Sequence, residues 1–236
     1  MFEDYFTLQL KFADHFFSVA SISFGAAISR CTNLRRRLNL MGFEGEQVWN
    51  SFLNFADTNS ASLVAVVDKC VHLHEVHHSK ASRSAFGCFS YDPPNVEGVV
   101  RIHFMPLPNQ ECSPLSPEKS VERRGELRGM FAEIHQLQPH AKTVRGISWL
   151  YNLNAYKRLF PAAFVTAIEA PRFPVHLNGT STWGQVLDWR QKVKPDVQKR
   201  ILGQLPYMRG QAPWEVFPLK ALTAHCGIEM FYEELL

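Results

Sequence analysis

The stretch 85-AFGCFSYDPPNVEGVVRIHFM-105 decides how the chain folds. Two runs rich in aromatic and β-branched residues, 85–91 and 98–105, flank the turn formers Asp92, Pro93, Pro94 and Asn95, so the stretch reads as two strands joined by a turn. A loop rich in Pro and Ser follows over 106–117. Ser116 is then a good N-cap, Pro117 suits the first helical position, and Glu118 complements the positive end of a helix dipole. These signals predict a helix to about residue 138, with Leu127, Met130, Phe131 and Ile134 on one face. Beyond it the pattern predicts a strand over 143–150, a short helix over 154–159 and another strand over 163–170. Residues 180–205 read as mostly helical, interrupted by Pro195, and the tail 218–236 is apolar enough to pack back onto the body.

Upstream of this stretch the period changes from two to 3.6. Residues 4–40 read as two helices or one bent helix, from Phe6, Leu10, Phe12, Phe16 and Phe17, with Gly25 as the break. Leu34, Leu38 and Leu40 continue the stripe to a stop at Gly42. A short helix is predicted over 46–55, a polar turn over 57–60, and a further helix over 62–78 despite its valines. The fold class expected is therefore α+β: N-terminal helices followed by a small mixed sheet with packed helices. Residues 1–80 form the helical part and 81–236 the α/β part, as one continuous domain.

Composition narrows the function classes. The chain has 236 residues, 46% of them hydrophobic, and a formal net charge of +3, which is ample for a core and gives no case for nucleic-acid binding. Its one dense basic run is Arg30, Arg35, Arg36 and Arg37, read as a solvated face rather than a phosphate patch. The least polar stretch near the start, 15–29, is too short for a membrane span. The five cysteines are scattered, without a CxxC, so the expected setting is a reducing cytoplasm.

Histidine clusters in His72-Leu73-His74-Glu75-Val76-His77-His78. His74, Glu75 and His78 match a zinc-peptidase pattern, in which two His one helical turn apart share a metal and the Glu polarises its water. Gly and a third His are missing downstream, where Ala81 and Ser84 stand. Helical stepping places His74, His77 and His78 on the same face as Val67 and Cys70. A divalent metal held by His74, His77 and His78 is one reading; satisfied core histidines are the other.

The order strand, strand, loop, long helix, strand, short helix, strand resembles the core of the GNAT superfamily of N-acetyltransferases. Asn154, Ala155 and Tyr156 are similar to an Asn, Ala and Tyr that the family often carries on its short helix. The chain also resembles bacterial proteins with a Ser-Trp-Leu segment after such a helix, here Ser148, Trp149 and Leu150. The resemblance implies an acyl-CoA held between two splayed strands, with Tyr156 as general acid toward the leaving thiolate. The family's closely spaced glycines are absent from 107–119. An anion site then falls to Ser116 and the helix start, with Lys119, Arg123 and Arg124 nearby. The expected function is that of a divergent acyltransferase-like protein binding an acyl-CoA or another phosphate-bearing small molecule. The alternatives are a metal-binding protein or metal-dependent enzyme and a non-catalytic interaction protein. The expected partners are a small-molecule ligand, with no nucleic acid and no membrane, and room for a homodimer; in the interaction-protein alternative the N-terminal helices and Phe-rich surfaces serve a partner or a second copy.

Overall fold

A computed structural model describes residues 2–77, 85–107, 111–172 and 176–236. In chain order its helices begin with α1 (Glu3–Ala20), α2 (Phe24–Cys31), α3 (Leu34–Arg37), α4 (Phe43–Thr58) and α5 (Leu63–His77). Strands β1 (Phe89–Asp92) and β2 (Val99–Phe104) precede α6 (Ser120–Leu137), and β3 (Thr143–Ser148) follows it. Then come α7 (Asn154–Lys157), α8 (Ala162–Thr166), α9 (Thr180–Trp183), α10 (Pro195–Gln204), β4 (Leu222–Gly227) and α11 (Glu229–Leu235). The chain is α+β, with helices preceding a four-stranded mixed open sheet. It divides into two compact units, Met1–Lys80 with Phe173–Lys220, and Ala81–Arg172 with Ala221–Leu236.

The helical unit is organised around α1, which buries Tyr5, Leu8, Phe12 and Phe16 along one stripe and Phe6, Gln9, Leu10 and Ala13 beside it. A helix buried this broadly must be covered on more than one side, and α2, α5 and α10 all pack against it. Its break falls at Ser21, whose φ is 52°, and not at Gly25. Gly25 instead sits in the first turn of α2, where a Cβ would come within 2.9 Å of the Leu53 carbonyl and of Asp57. The Asp57 carboxylate accepts from the Gly25 N–H at 2.6 Å and from the Ser23 hydroxyl at 3.1 Å, capping α2 from the neighbouring α4. Helix α4 starts at Phe43 and outruns the expected 46–55 in both directions. Gly42, with φ 86°, precedes it rather than ending the helix before.

Residues 173–220, assigned from the sequence to the α/β part, cluster with the helical unit. The anchor is Trp183, fully buried, with its indole N–H donating to the Cys31 carbonyl at 2.9 Å. Its ring meets Phe12 at 5.2 Å and Phe217 at 4.8 Å, both edge-on. Pro195 does not interrupt a helix there; it begins α10 at the position where its missing N–H costs nothing.

In the sheet unit the strand order is β1-β2-β3-β4. β1 and β2 form the antiparallel pair expected from 85–105, with Phe89 opposite Phe104. β2 and β3 are parallel, which requires a crossover, and α6 supplies it. Leu127, Met130, Phe131 and Ile134 of α6 are fully buried against Val100 and Val144 of the sheet. The strand expected over 163–170 is not formed. A short helix with Pro161 at its N-cap forms instead, and Ala162–Thr166 turns Phe164 into the core. Only Glu169 keeps a β contact, a bridge to Thr223. The fourth strand comes from the tail, where Leu222–Gly227 pairs antiparallel with β3. α11 then closes the core, with Phe231 stacked on Phe131 at 4.3 Å.

Candidate functional site

The parallel strands β2 and β3 share only three register pairs: Val99 with Thr143, Val100 with Val144, and Arg101 with Arg145. Beyond these the ladder stops. Ile102, His103 and Phe104 pair with β1 alone, and Gly146, Ile147 and Ser148 with β4 alone. The two strands therefore open a wedge at their C-terminal ends. Helix α6, which runs back from β2 to β3, begins at that same end of the sheet.

Aromatic rings line the wedge. Tyr156 meets Phe104 of β2 at 5.3 Å and Tyr151 at 5.4 Å. Tyr151 lies on Gly146 of β3 so closely that a Cβ there would stand 1.8 Å from its hydroxyl oxygen. This close approach is what a glycine inside a strand signals. The two phenols hydrogen-bond each other, and burial pushes both above the usual tyrosine range. Tyr156, the residue singled out from the sequence, is therefore a buried, protonated phenol packed against the C-terminal end of β2.

The start of α6 is more heavily committed than its sequence implied. Ser116 is extended and its carbonyl accepts from the Lys119 N–H at 3.1 Å, but its hydroxyl caps no backbone group. That hydroxyl instead reaches Cys112 Sγ at 3.7 Å and the Glu118 carboxyl, holding the latter below the usual range. A 3-10 turn, Pro117–Lys119, intervenes before α6 proper. Lys119 pairs with Glu122 at 2.7 Å, and Arg124 pairs with Glu234 at 3.3 Å. Both are exposed surface pairs. Arg123 is different: it is 0% exposed, pairs with Glu122 and with Glu126 (2.8 Å), and donates to Cys88 Sγ. Glu126 in turn accepts from the Cys88 backbone N–H at 3.1 Å. Burial is the largest influence on the Glu126 carboxyl and raises its pKa. The sequence predicts Arg123 as an anion ligand at the helix start, and the structure puts it in the core. The signal was present, since Arg123, Leu127, Met130 and Phe131 stand at positions i, i+4, i+7 and i+8.

The histidines lie on α5 of the helical unit. The His74 ring meets Phe2 at 4.7 Å and Phe6 at 5.7 Å, both edge-on. The His77 carbonyl accepts from the Asn39 side chain at 3.2 Å. His78 lies outside the described residues. Among the described residues no three His, Cys, Asp or Glu side chains are arranged to hold a metal ion. His103, on β2, pairs with Asp92 at 3.0 Å.

The chain matches no protein-family model, no curated protein and no solved structure. Among the described residues no helix is long and apolar enough to cross a membrane. Two small pockets in the helical unit, of about 170 and 140 Å³, fall below the roughly 300–1,000 Å³ of ordinary small-molecule sites. The smaller is lined by Thr32, Arg35, Arg36 and Trp49, so part of the basic run faces a concavity.

One set of residues had no counterpart in the sequence reading. Gln9, Asn33 and Thr182 are polar, essentially unexposed, and carry buried atoms without hydrogen-bond partners. Gln9 is buried beside the apolar stripe of α1, and its identity alone gave no warning of what it would face.

Proposed function

We propose that the sheet unit binds an acyl-CoA or another phosphate-bearing small molecule along the wedge between β2 and β3, as a divergent acyltransferase-like protein. The observation that carries this reading is the end of the β2–β3 ladder after Arg101 and Arg145. Backbone N–H and C=O groups along 102–104 and 146–148 are left without a strand partner across the wedge. They can receive the amides of an extended ligand as a sheet edge receives a strand. Ligands of open α/β sheets commonly sit beyond the carboxyl ends of parallel strands, next to a helix start.

In this reading Lys119 and Arg124 meet the phosphates. Their present partners are exposed carboxylates, and pairs of that kind are worth only about 0–1 kcal/mol, so a phosphate competes with them readily. Arg123 does not take part, because its guanidinium is spent on Glu122 and Glu126. Tyr156 is the proton donor to the departing thiolate; its raised pKa keeps the proton in place until charge develops on sulfur.

The test is the melting temperature of the protein in acetyl-CoA, with dephosphorylated CoA as control. Ligand at about 100 times its Kd adds about 2.7 kcal/mol to the folded state, a rise of several degrees for a chain of this size. The expected result is a rise with acetyl-CoA that shrinks when the phosphate is removed and when Lys119 and Arg124 are changed to Gln. An unchanged melting temperature at millimolar acetyl-CoA rejects the reading.

A further inference from the structure

Three donor groups in the helical unit are linked by a chain of contacts and none meets an acceptor. The Asn33 backbone N–H donates to Gln9 Oε1 at 2.8 Å, so the unsatisfied atom of Gln9 is its Nε2 amide. The Tyr5 hydroxyl donates to Asn33 Oδ1 at 3.1 Å, so the unsatisfied atom of Asn33 is Nδ2. Arg37 lies 5.4 Å over the Tyr5 ring and hydrogen-bonds its phenol oxygen, which commits the phenol proton to Asn33. Arg37 also donates from Nη1 to Gln191 Oε1 at 3.0 Å, and its Nε is buried without a partner. Each bond fixes the orientation of the group it touches. The three open atoms are therefore all N–H donors, and no amide flip turns them into acceptors without breaking a bond already made.

Charge points the same way. No carboxylate among the described residues pairs with Arg37; its neighbours are the Gln191 amide, the Tyr5 phenol and the faces of Phe2 and Tyr5. Gln9 and Asn33 are 0% exposed, so bulk water does not complete their shells. A buried donor left open costs about 1–3 kcal/mol, and a run of them beside an uncompensated cation calls for an acceptor that carries negative charge.

We propose that Gln9 Nε2, Asn33 Nδ2 and Arg37 Nε form an internal binding site for a small monovalent anion, a halide or the carboxylate of a small acid. The site stands independently of the wedge in the sheet unit and of what that wedge binds.

The experiment measures melting temperature in chloride, formate and gluconate at one ionic strength, for the wild type and for Gln9→Glu. Glu at this position keeps an oxygen for the Asn33 N–H and puts a carboxylate where the anion would sit. The wild type is expected to gain a few degrees, saturably, in chloride or formate over gluconate; chloride alone assigns a halide, formate alone a small acid. Gln9→Glu is expected to lose that gain. Equal melting temperatures of the wild type in all three salts, or a gain that Gln9→Glu keeps, overturn the proposal. If Gln9→Glu does not fold, bromide-soaked wild-type crystals decide. Anomalous density within hydrogen-bond reach of Gln9 Nε2 and Asn33 Nδ2 supports the site, and a peak there without anomalous signal is a water and overturns it.

Discussion

Arg123 and Arg37 are the same side chain in two kinds of interior. In the sheet unit Arg123 is wholly enclosed, yet Glu122 and Glu126 balance its charge and a thiol takes one more N–H. In the helical unit Arg37 is half-buried among rings and amides, with no carboxylate beside it among the described residues. The first arrangement leaves its Nε without a partner, as the second does, but its charge is balanced, so it is a structural pair that resists exchange with solvent ligands. The second is incomplete, which is why it can recruit something from outside. Burial alone does not separate structural from functional arginines; the local charge balance does.

That contrast is broken most sharply at Arg123. Arg123→Ala leaves Glu126, 14% exposed, with its charge partner gone. It should cost about 3–5 kcal/mol, read as a fall in the urea midpoint. Arg37→Leu strands no carboxylate, and in gluconate it should cost about 1 kcal/mol or less by the same measurement. If the two losses are equal, the distinction between balanced and unbalanced arginines fails.

Packing in the sheet unit gives an effect of intermediate size. Gly146→Ala drives a Cβ into the Tyr151 hydroxyl and should destabilise by about 1–3 kcal/mol. Tyr151→Phe in the same chain should return part of that loss, because the hydroxyl is the nearest atom. No recovery in the double variant would mean that the strain lies in the β3 backbone instead.

The smallest expected effect is one of pH. Glu126 has its pKa raised, first by burial, so the folded state holds the proton more tightly than the unfolded chain. Its contribution to stability is full below the unfolded carboxylate value and is lost as pH rises through the raised one. Glu122 is lowered by its Lys119 partner and acts in the opposite sense, losing its contribution as pH falls. Glu126→Gln should flatten the decline in stability as pH rises above the ordinary carboxylate range, seen in urea midpoints across a pH series. An unchanged slope would place the burial cost on another group.

The elements that were legible in the sequence are those whose own residues specify them. Ser116 and Pro117 mark the 3-10 turn that leads into the crossover helix, which itself starts at Ser120, and Leu127, Met130, Phe131 and Ile134 give its inner face. The turn at Asp92–Asn95 fixes the β1–β2 pair. Residues 163–170 misled because Phe164, Val165 and Ile168 favour strand locally, while a short helix begins after Pro161, a start that only the fold makes visible. The pairing of Leu222–Gly227 with β3 depends on residues far away in sequence, and no local pattern encodes it. The same holds for the candidate sites. Tyr156 could be named, but its hydrogen bond to Tyr151 and the strand separation beside it are properties of space. Arg37 belonged to a basic run that looked uniformly solvated, and α3 is only four residues long. A helix that short shows no periodicity from which to read which arginine turns inward.

The interleaving of the two units has a consequence for how the chain is made. Ser148 pairs with Leu222 and Thr143 with Gly227, yet 173–220 lies between them and belongs to the other unit. On the ribosome, β3 emerges long before the strand that will cover it, and during that interval it is a bare edge open to wrong pairing. The helical unit waits too, since Trp183 and Phe217 come late to the core that Phe12 begins. Neither unit is contiguous in the gene, so a boundary drawn at 80 or at 172 yields two incomplete halves rather than two domains.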